Sequence, residues 1–199
     1  MTIGHIAVLL LTLAVTAIPT TAQVTKSHPL QKSDSECLNK ALEYFQSAKY
    51  HEALLMFRKL NSKYDLNVRF KAYMGICYYY DEDYENCEAI IDSIADRLEV
   101  FAPHERSIYF YDAGESCFNL RKYDKAITYY ERVILICYDN EKGDILMRLG
   151  QCHRKLQNIE TGQEYFISAK AYYTRFNEEW KMKKFLEAID NDNVDNKKN

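Results

Sequence analysis

Residues 119–134, NLRKYDKAITYYERVI, decide the fold. Tyr123 is followed by Ala126 at the third position and by Tyr130 four further on. Those three positions share one face of an α-helix. The cadence of large, small, large returns three times. AKYHEALLMFRKL carries it as Tyr50, Ala53 and Phe57, and EDYENCEAIIDSI as Tyr84, Cys87 and Ile91. QNIETGQEYFISA carries it as Ile159, Gly162 and Phe166. A second unit lies upstream of each copy, in KALEYF, YMGICYYY, DAGESCF and RLGQCHR. In each, a small residue (Ala41, Gly75, Gly114, Gly150) stands nine positions before the large anchor. Successive anchors Tyr50, Tyr84, Tyr123 and Ile159 are 34, 39 and 36 residues apart. A period in this range marks a solenoid of helix pairs.

The pattern over about residues 36–174 resembles the tetratricopeptide repeat. The fullest match is the fourth unit, with Leu149, Gly150, Gly162, Phe166 and Ala169. The resemblance implies an all-α fold: a right-handed superhelix of antiparallel helix pairs, about four repeats with a C-terminal capping helix. The small residues of the first helices would face Ala53, Cys87, Ala126 and Gly162 on the second helices. The anchors would open each second helix. Tyr44, Tyr78, Phe57, Ile91, Tyr130 and Phe166 would fill the space between neighbouring units. The family's usual proline between units is missing, and Cys117 and His153 stand where an aromatic is common. The units fall at about 36–66, 67–105, 106–140 and 141–174. The excess length of the second lies near LEVFAPHERS, where Pro103 predicts an extended connection over about residues 98–106.

Both ends read differently from the repeats. IAVLLLTLAVTAI, residues 6–18, is an apolar run of 13, short for the roughly 20 residues of a membrane span. Pro19 and the small residues Thr20 and Ala22 fit a signal peptide over 1–22, cut after Ala22, although no Lys or Arg precedes the run. The expected location is periplasmic or secreted, with an uncleaved membrane anchor as the alternative. Residues 23–35 read as a linker, in which Ser33 and Glu36 form a capping box for the first helix. Residues 175–190, with Phe176, Trp180, Phe185, Leu186 and Ile189, read as the capping helix, with no Gly or Pro to separate it from the one before. Residues 191–199 read as a disordered tail.

All six cysteines (Cys37, Cys77, Cys87, Cys117, Cys137, Cys152) lie after the expected cut. Their placement inside helical patterns favours buried free thiols over a disulfide framework. A net charge of -3 gives no electrostatic case for nucleic acid. The sequence carries no H-E-x-x-H, G-x-S-x-G, P-loop or dinucleotide fingerprint, and its five histidines are scattered. Cys152 and His153 are adjacent, so on a helix they point about 100° apart and cannot act as nucleophile and base. Asp81, Glu82 and Asp83 fall at a turn, where they cap the following helix. No enzyme, cofactor, metal or small-molecule substrate is expected.

What remains is a surface. In the tetratricopeptide family the first helices line a concave face that holds a peptide or a partner helix. Helical phase puts Leu38, Leu42 and Phe45 there from the first unit, and Ala72, Ile76 and Tyr79 from the second. The third supplies Tyr111, Glu115 and Phe118, and the fourth Met147, Gln151, Arg154 and Lys155. The face would be apolar and aromatic, then basic at its C-terminal end. The family's clamp for a terminal carboxylate needs Lys and Asn where Leu38, Leu42, Ala72 and Ile76 stand, so that recognition mode is excluded. The competing reading makes this stripe plain core. The expected function is an exported scaffold binding a protein or peptide partner. The alternative is a membrane-held sensor or assembly subunit.

Overall fold

The computed structural model describes residues 31–178 together with 180, 181 and 183. Eight α-helices and no strand occur among them. These are α1 (Lys32–Gln46), α2 (Tyr50–Tyr64), α3 (Val68–Tyr80), α4 (Tyr84–Ile94), α5 (Pro103–Asn119), α6 (Tyr123–Ile134), α7 (Lys142–Lys155) and α8 (Ile159–Arg175). They pack as consecutive pairs, α1 on α2 through α7 on α8, and each pair packs on the next. Helices α3 and α5 also touch directly. The fold is a tetratricopeptide-like α-solenoid.

The four anchors open the second helices, since α2, α4, α6 and α8 begin at Tyr50, Tyr84, Tyr123 and Ile159. The turn before each anchor is the same Schellman motif. Ala48, Glu82, Arg121 and Gln157, two residues before each anchor, adopt positive φ of 56°, 59°, 59° and 65°. The next amide then donates back to the preceding helix: Lys49 to Tyr44 O (2.8 Å), Asp83 to Tyr78 O (2.9 Å), Lys122 to Cys117 O (2.8 Å) and Asn158 to His153 O (2.9 Å). Those bonds satisfy carbonyls that the helix end would otherwise leave without a donor. None of the four left-handed residues is glycine, so each carries the steric cost of a Cβ in that conformation. At the second turn the Asp83 side chain accepts from Asn86 N, as expected of an acidic cap.

Packing within a pair follows from residue size. A β-carbon on Gly75 would stand 2.5 Å from Ile91, one on Gly114 2.9 Å from the Tyr130 ring, and one on Gly150 2.5 Å from Phe166. The large residue that ends each cadence therefore lies over the small residue of its own pair, rather than only between neighbouring units. In the fourth unit the two small residues also meet, because a β-carbon on Gly150 would come 3.1 Å from Gly162 O. Phe57, Ile91, Tyr130 and Phe166 are all at most 1 % exposed.

Three local expectations change. Helix α1 starts at Lys32 behind Gln31, whose side chain caps nothing. Ser33 is already helical, so it cannot adopt the extended N-cap conformation that a capping box needs. The extended connection expected at 98–106 shrinks to Phe101 and Ala102, between a 3-10 segment, Ala95–Val100, and α5. Pro103 opens α5, where its missing N–H costs nothing. The extra residues of the second unit fold inward: Leu98 is fully buried, and the Arg69 guanidinium lies 4.3 Å over the Phe101 ring. Finally, α8 does not run on into a longer helix. Asn177 takes φ 55°, and Glu178 N donates to Tyr173 O at 2.9 Å, repeating the turn of the four pairs. Trp180 and Lys181 beyond it are helical. The expected signal peptide, the expected linker through residue 30 and the expected tail lie outside the described residues, as does most of the expected capping helix. All six cysteines are free, and Cys77, Cys87, Cys117 and Cys152 are buried.

Opposite outcomes are expected at two positions. Arg121→Gly relieves a left-handed Cβ costing about 1–2 kcal/mol but loosens the unfolded chain by about 0.5–1 kcal/mol. It should raise the urea midpoint by a net gain of about 0.5–1 kcal/mol. Gly114→Ala gains about 1 kcal/mol of helix propensity but overpacks against Tyr130. That ring cannot retreat, because its hydroxyl is bonded to Glu115. Overpacking of about 1–3 kcal/mol should win and lower the midpoint.

Candidate partner-binding face

The first helices α1, α3, α5 and α7 carry the stripe expected to form a concave face. Direct packing divides it. Leu38, Phe45, Ala72 and Ile76 are buried, and the Phe45 ring stacks 4.5 Å from Tyr73 of the next first helix. Their helical phase points them at a neighbouring helix rather than at solvent. Leu42, Tyr79, Tyr111, Phe118, Met147 and Gln151 are half-buried. Those six keep the surface that a partner could use.

The expected basic end is arranged differently. Arg154 is buried with its guanidinium 5.9 Å from the Phe166 ring. Its stem crosses Gly162, where a β-carbon would stand 2.6 Å from Arg154 Cγ. Arg154 therefore lies in the seam between α7 and α8, while Lys155 is exposed. The cation beside the aromatic stripe is Arg148. Its guanidinium lies 4.8 Å over the Phe118 ring, and its Nη1 donates to Gln151 Oε1 at 3.0 Å.

Arg148 is held by Glu115. Arg148 Nη2 donates to Glu115 Oε2 at 2.5 Å, and the Tyr130 hydroxyl donates to Glu115 Oε1 at 2.5 Å. Glu115 is buried, so this carboxylate ties α5 to both α6 and α7. Burial alone would lower the Arg148 pKa, but the Glu115 charge more than offsets it and holds the guanidinium charged. Around this pair stand aromatic rings. Tyr79 lies 5.2 Å from Tyr80, Tyr80 stacks 4.3 Å from Tyr50, and Tyr111 lies 6.2 Å from Tyr130. Burial first, and nearby carboxyls second, push the Tyr79 and Tyr111 hydroxyls well above the usual tyrosine range. Tyr50 is pushed up to about 12 for the same reasons. These phenols stay protonated and can donate.

Asp112 is the group that the helical stripe did not single out. It is 3 % exposed, and its Oδ2 accepts no hydrogen bond. It lies within electrostatic reach of Tyr50, Tyr79 and Tyr80. Burial first, and the Glu115 charge second, hold its carboxyl well above the ordinary aspartate range. A lone acid inside the apolar run YFYDAG was the available signal. Arg148 had none, because its pairing with Glu115 spans 33 residues. Among the described residues, no group of three or more His, Cys, Asp or Glu is placed to hold a metal ion, and no helix is long and apolar enough to cross a membrane.

No protein-family model matches the chain, and no curated relative matches it by sequence. Solved structures do resemble it. MamA MSR-1 superposes with a TM-score of 0.61 at 14% identity, over 71% of this chain and 78% of that one. A second MamA structure gives 0.60 at 15% identity, over 78% and 85%. BtubC (BKLC) from P. vanneervenii gives 0.58 at 11% identity, over 77% and 69%. These are tetratricopeptide-like helical proteins, and at such identities the likeness establishes the fold.

Asp112 sets an expectation for pH. The unfolded chain loses this proton near the ordinary aspartate value of 3.8, and the folded chain only at higher pH. Between those points the folded state holds more protons, so the Asp112 contribution to stability is lost as pH rises. Asp112→Asn removes that loss. The melting temperature of the variant relative to the parent should climb as pH rises above about 4. A constant difference across that range would show an ordinary aspartate.

Proposed function

We propose that this chain is an exported scaffold that binds a protein or peptide on the face lined by α1, α3, α5 and α7. The observation that supports the reading most directly is the row of half-buried aromatic side chains Tyr79, Tyr111 and Phe118 on consecutive first helices. Aromatic side chains give large contact area at low entropy cost, and truncating a central one removes about 2 kcal/mol or more of binding. Glu115 and Arg148 neutralise one another beneath Phe118, so the floor under the rings is braced from three helices. The chain shares its fold with MamA and BtubC, and that likeness agrees with an interaction role for stacked helix pairs. Export rests on the apolar run of residues 6–18 and the small residues before Gln23.

A photo-crosslinking residue placed at Phe118 should capture a discrete protein adduct in extract from the native host. The same residue at Leu55, which is 54% exposed on α2, should capture none. Equal capture at both positions, or capture at Leu55 alone, removes the face from consideration. Tyr111→Ala should weaken the interaction by about 2 kcal/mol while the helical spectrum is retained.

Processing is a separate expectation. Protein from the native host should begin at Gln23. Recovery of Met1 in the membrane fraction would replace export with anchoring.

A further inference from the structure

Antiparallel pairing gives the solenoid two edges. On one, each first helix ends and each second helix begins. On the other, each first helix begins and each second helix ends. Side-chain contacts tie this second edge along its length. The Tyr64 hydroxyl of α2 donates to Asp34 of α1 at 2.5 Å, and Arg69 of α3 donates to Glu105 of α5 at 2.5 Å. The His104 ring of α5 stacks 3.8 Å from Tyr138, in the turn between α6 and α7, and its Nε2 lies 3.1 Å from Glu141 Oε1. Tyr173 of α8 donates to Asp144 of α7 at 2.8 Å, and Lys181 donates to it at 2.9 Å.

The two edges differ in chemistry. The tips of the first are Ala48, Glu82, Arg121 and Gln157, small or polar and all exposed. The exposed large apolar side chain beside them is Ile159. The second edge exposes four large side chains on successive turns. Val100 precedes α5 and is 74% exposed, Leu135 and Tyr138 follow α6 with Leu135 81% exposed, and Trp180 follows α8. Neighbouring charges are paired within the edge, since Lys142 bonds Asp139 at 2.8 Å and Arg106 bonds Glu99. What the second edge offers a partner is therefore apolar contact rather than net charge.

The chain also enters at this edge. Gln31, just before α1, donates its amide to the Tyr64 hydroxyl at the end of α2 at 3.4 Å. Residues 19–30 separate Gln31 from the apolar run of residues 6–18. Twelve residues span at most about 40 Å. Whenever that run enters a bilayer, during export or as an anchor, the second edge is held close to the membrane surface. Apolar side chains standing singly on separate turns suit a fluid interface, which closes around each of them, better than a protein surface that must match all four. Tyr and Trp are also the side chains enriched where a bilayer meets water.

We propose that this edge docks on the surface of a lipid bilayer, with Val100, Leu135, Tyr138 and Trp180 entering its interfacial layer. The proposal goes beyond the scaffold reading and is compatible with it, because Tyr79 and Phe118 lie at the far ends of α3 and α5. The contact needs no anionic lipid.

Trp180 is the one tryptophan of the sequence, so its emission reads this edge directly. The full chain is mixed with vesicles of phosphatidylcholine brominated in the acyl chains. Bromine quenches only at near contact, so attachment through residues 6–18 alone leaves Trp180 bright. Emission should instead fall by about twofold or more. The double variant Val100→Asp, Leu135→Asp should lose most of that quenching with the helical spectrum unchanged. Ile167→Asp, at an exposed apolar residue midway along α8, should keep it. Vesicle-bound chain with bright Trp180, absence of vesicle binding, or full quenching in the double variant overturns the proposal. Equal loss in Ile167→Asp also overturns it, because it marks unspecific adsorption. The parent measurement uses the unaltered protein, so a misfolded variant cannot imitate the result.

Discussion

The whole structure depends on one close contact, repeated four times. A small residue on the first helix of each pair lets a large side chain of the second helix lie directly on its backbone. The contact is seen for Gly75 with Ile91, Gly114 with Tyr130 and Gly150 with Phe166, and the fully buried Ala41 and Phe57 stand at the same 16-residue spacing. Burying such a side chain fully contributes about 1.5–3 kcal/mol, and here the area is gained only if the facing position has little or no side chain. The identical turns follow from the same constraint. A left-handed residue two positions before the anchor reverses the chain in the fewest residues and delivers the second helix in register. That register outweighs the cost of placing Ala48, Glu82, Arg121 and Gln157 at positive φ.

Between pairs the attachment is more polar. Carboxylates shared by a tyrosine and a cation link helices of adjacent units, as Glu105 of α5 does to Arg69 of α3. Most of the cations are partly exposed; Lys63 keeps 47% of its side-chain surface. Such pairs contribute about 1 kcal/mol or less. The bonds therefore align units that apolar packing holds together. Glu115 is different because its side chain is 5% exposed. Breaking that buried pair would leave a charge without a partner, so it fixes how α5, α6 and α7 meet more than it adds net stability.

The fold was legible because it depends on residue size at fixed spacing, and size is read directly from sequence. Tyr50, Tyr84, Tyr123 and Ile159 predict the starts of four helices to the residue. The face was less legible because it depends on how neighbouring first helices lie side by side. Phe45 and Ile76 share the helical phase of Tyr79 and Tyr111, but the adjacent unit covers them. Arg154 occupies the same phase as Phe118, yet Gly162 opposite it leaves a gap into which its stem folds. Of the six non-glycine residues at positive φ among the described residues, Ala48, Glu82, Arg121 and Gln157 carried no chemical mark that sequence reasoning could use. Pro103 misled for a related reason: the same residue ends one helix or begins another, and only the inward fold of Leu98 and Phe101 decides.

The seam between the second and third units gathers the departures from the repeat. At one end the extra residues insert Leu98 and Phe101, with Arg69 lying on Phe101 and paired to Glu105. Toward the other end lies Asp112, near Tyr50, Tyr79 and Tyr80. In a solenoid, stability is a sum of nearest-neighbour terms, so a costly group is tolerated where its own seam is strongest. This seam has an added apolar plug and direct contact between α3 and α5. It can therefore hold an unpartnered carboxyl that a minimal seam could not. A buried polar group without a partner is a place where folding has been compromised, and here the surrounding sequence is built to absorb that compromise.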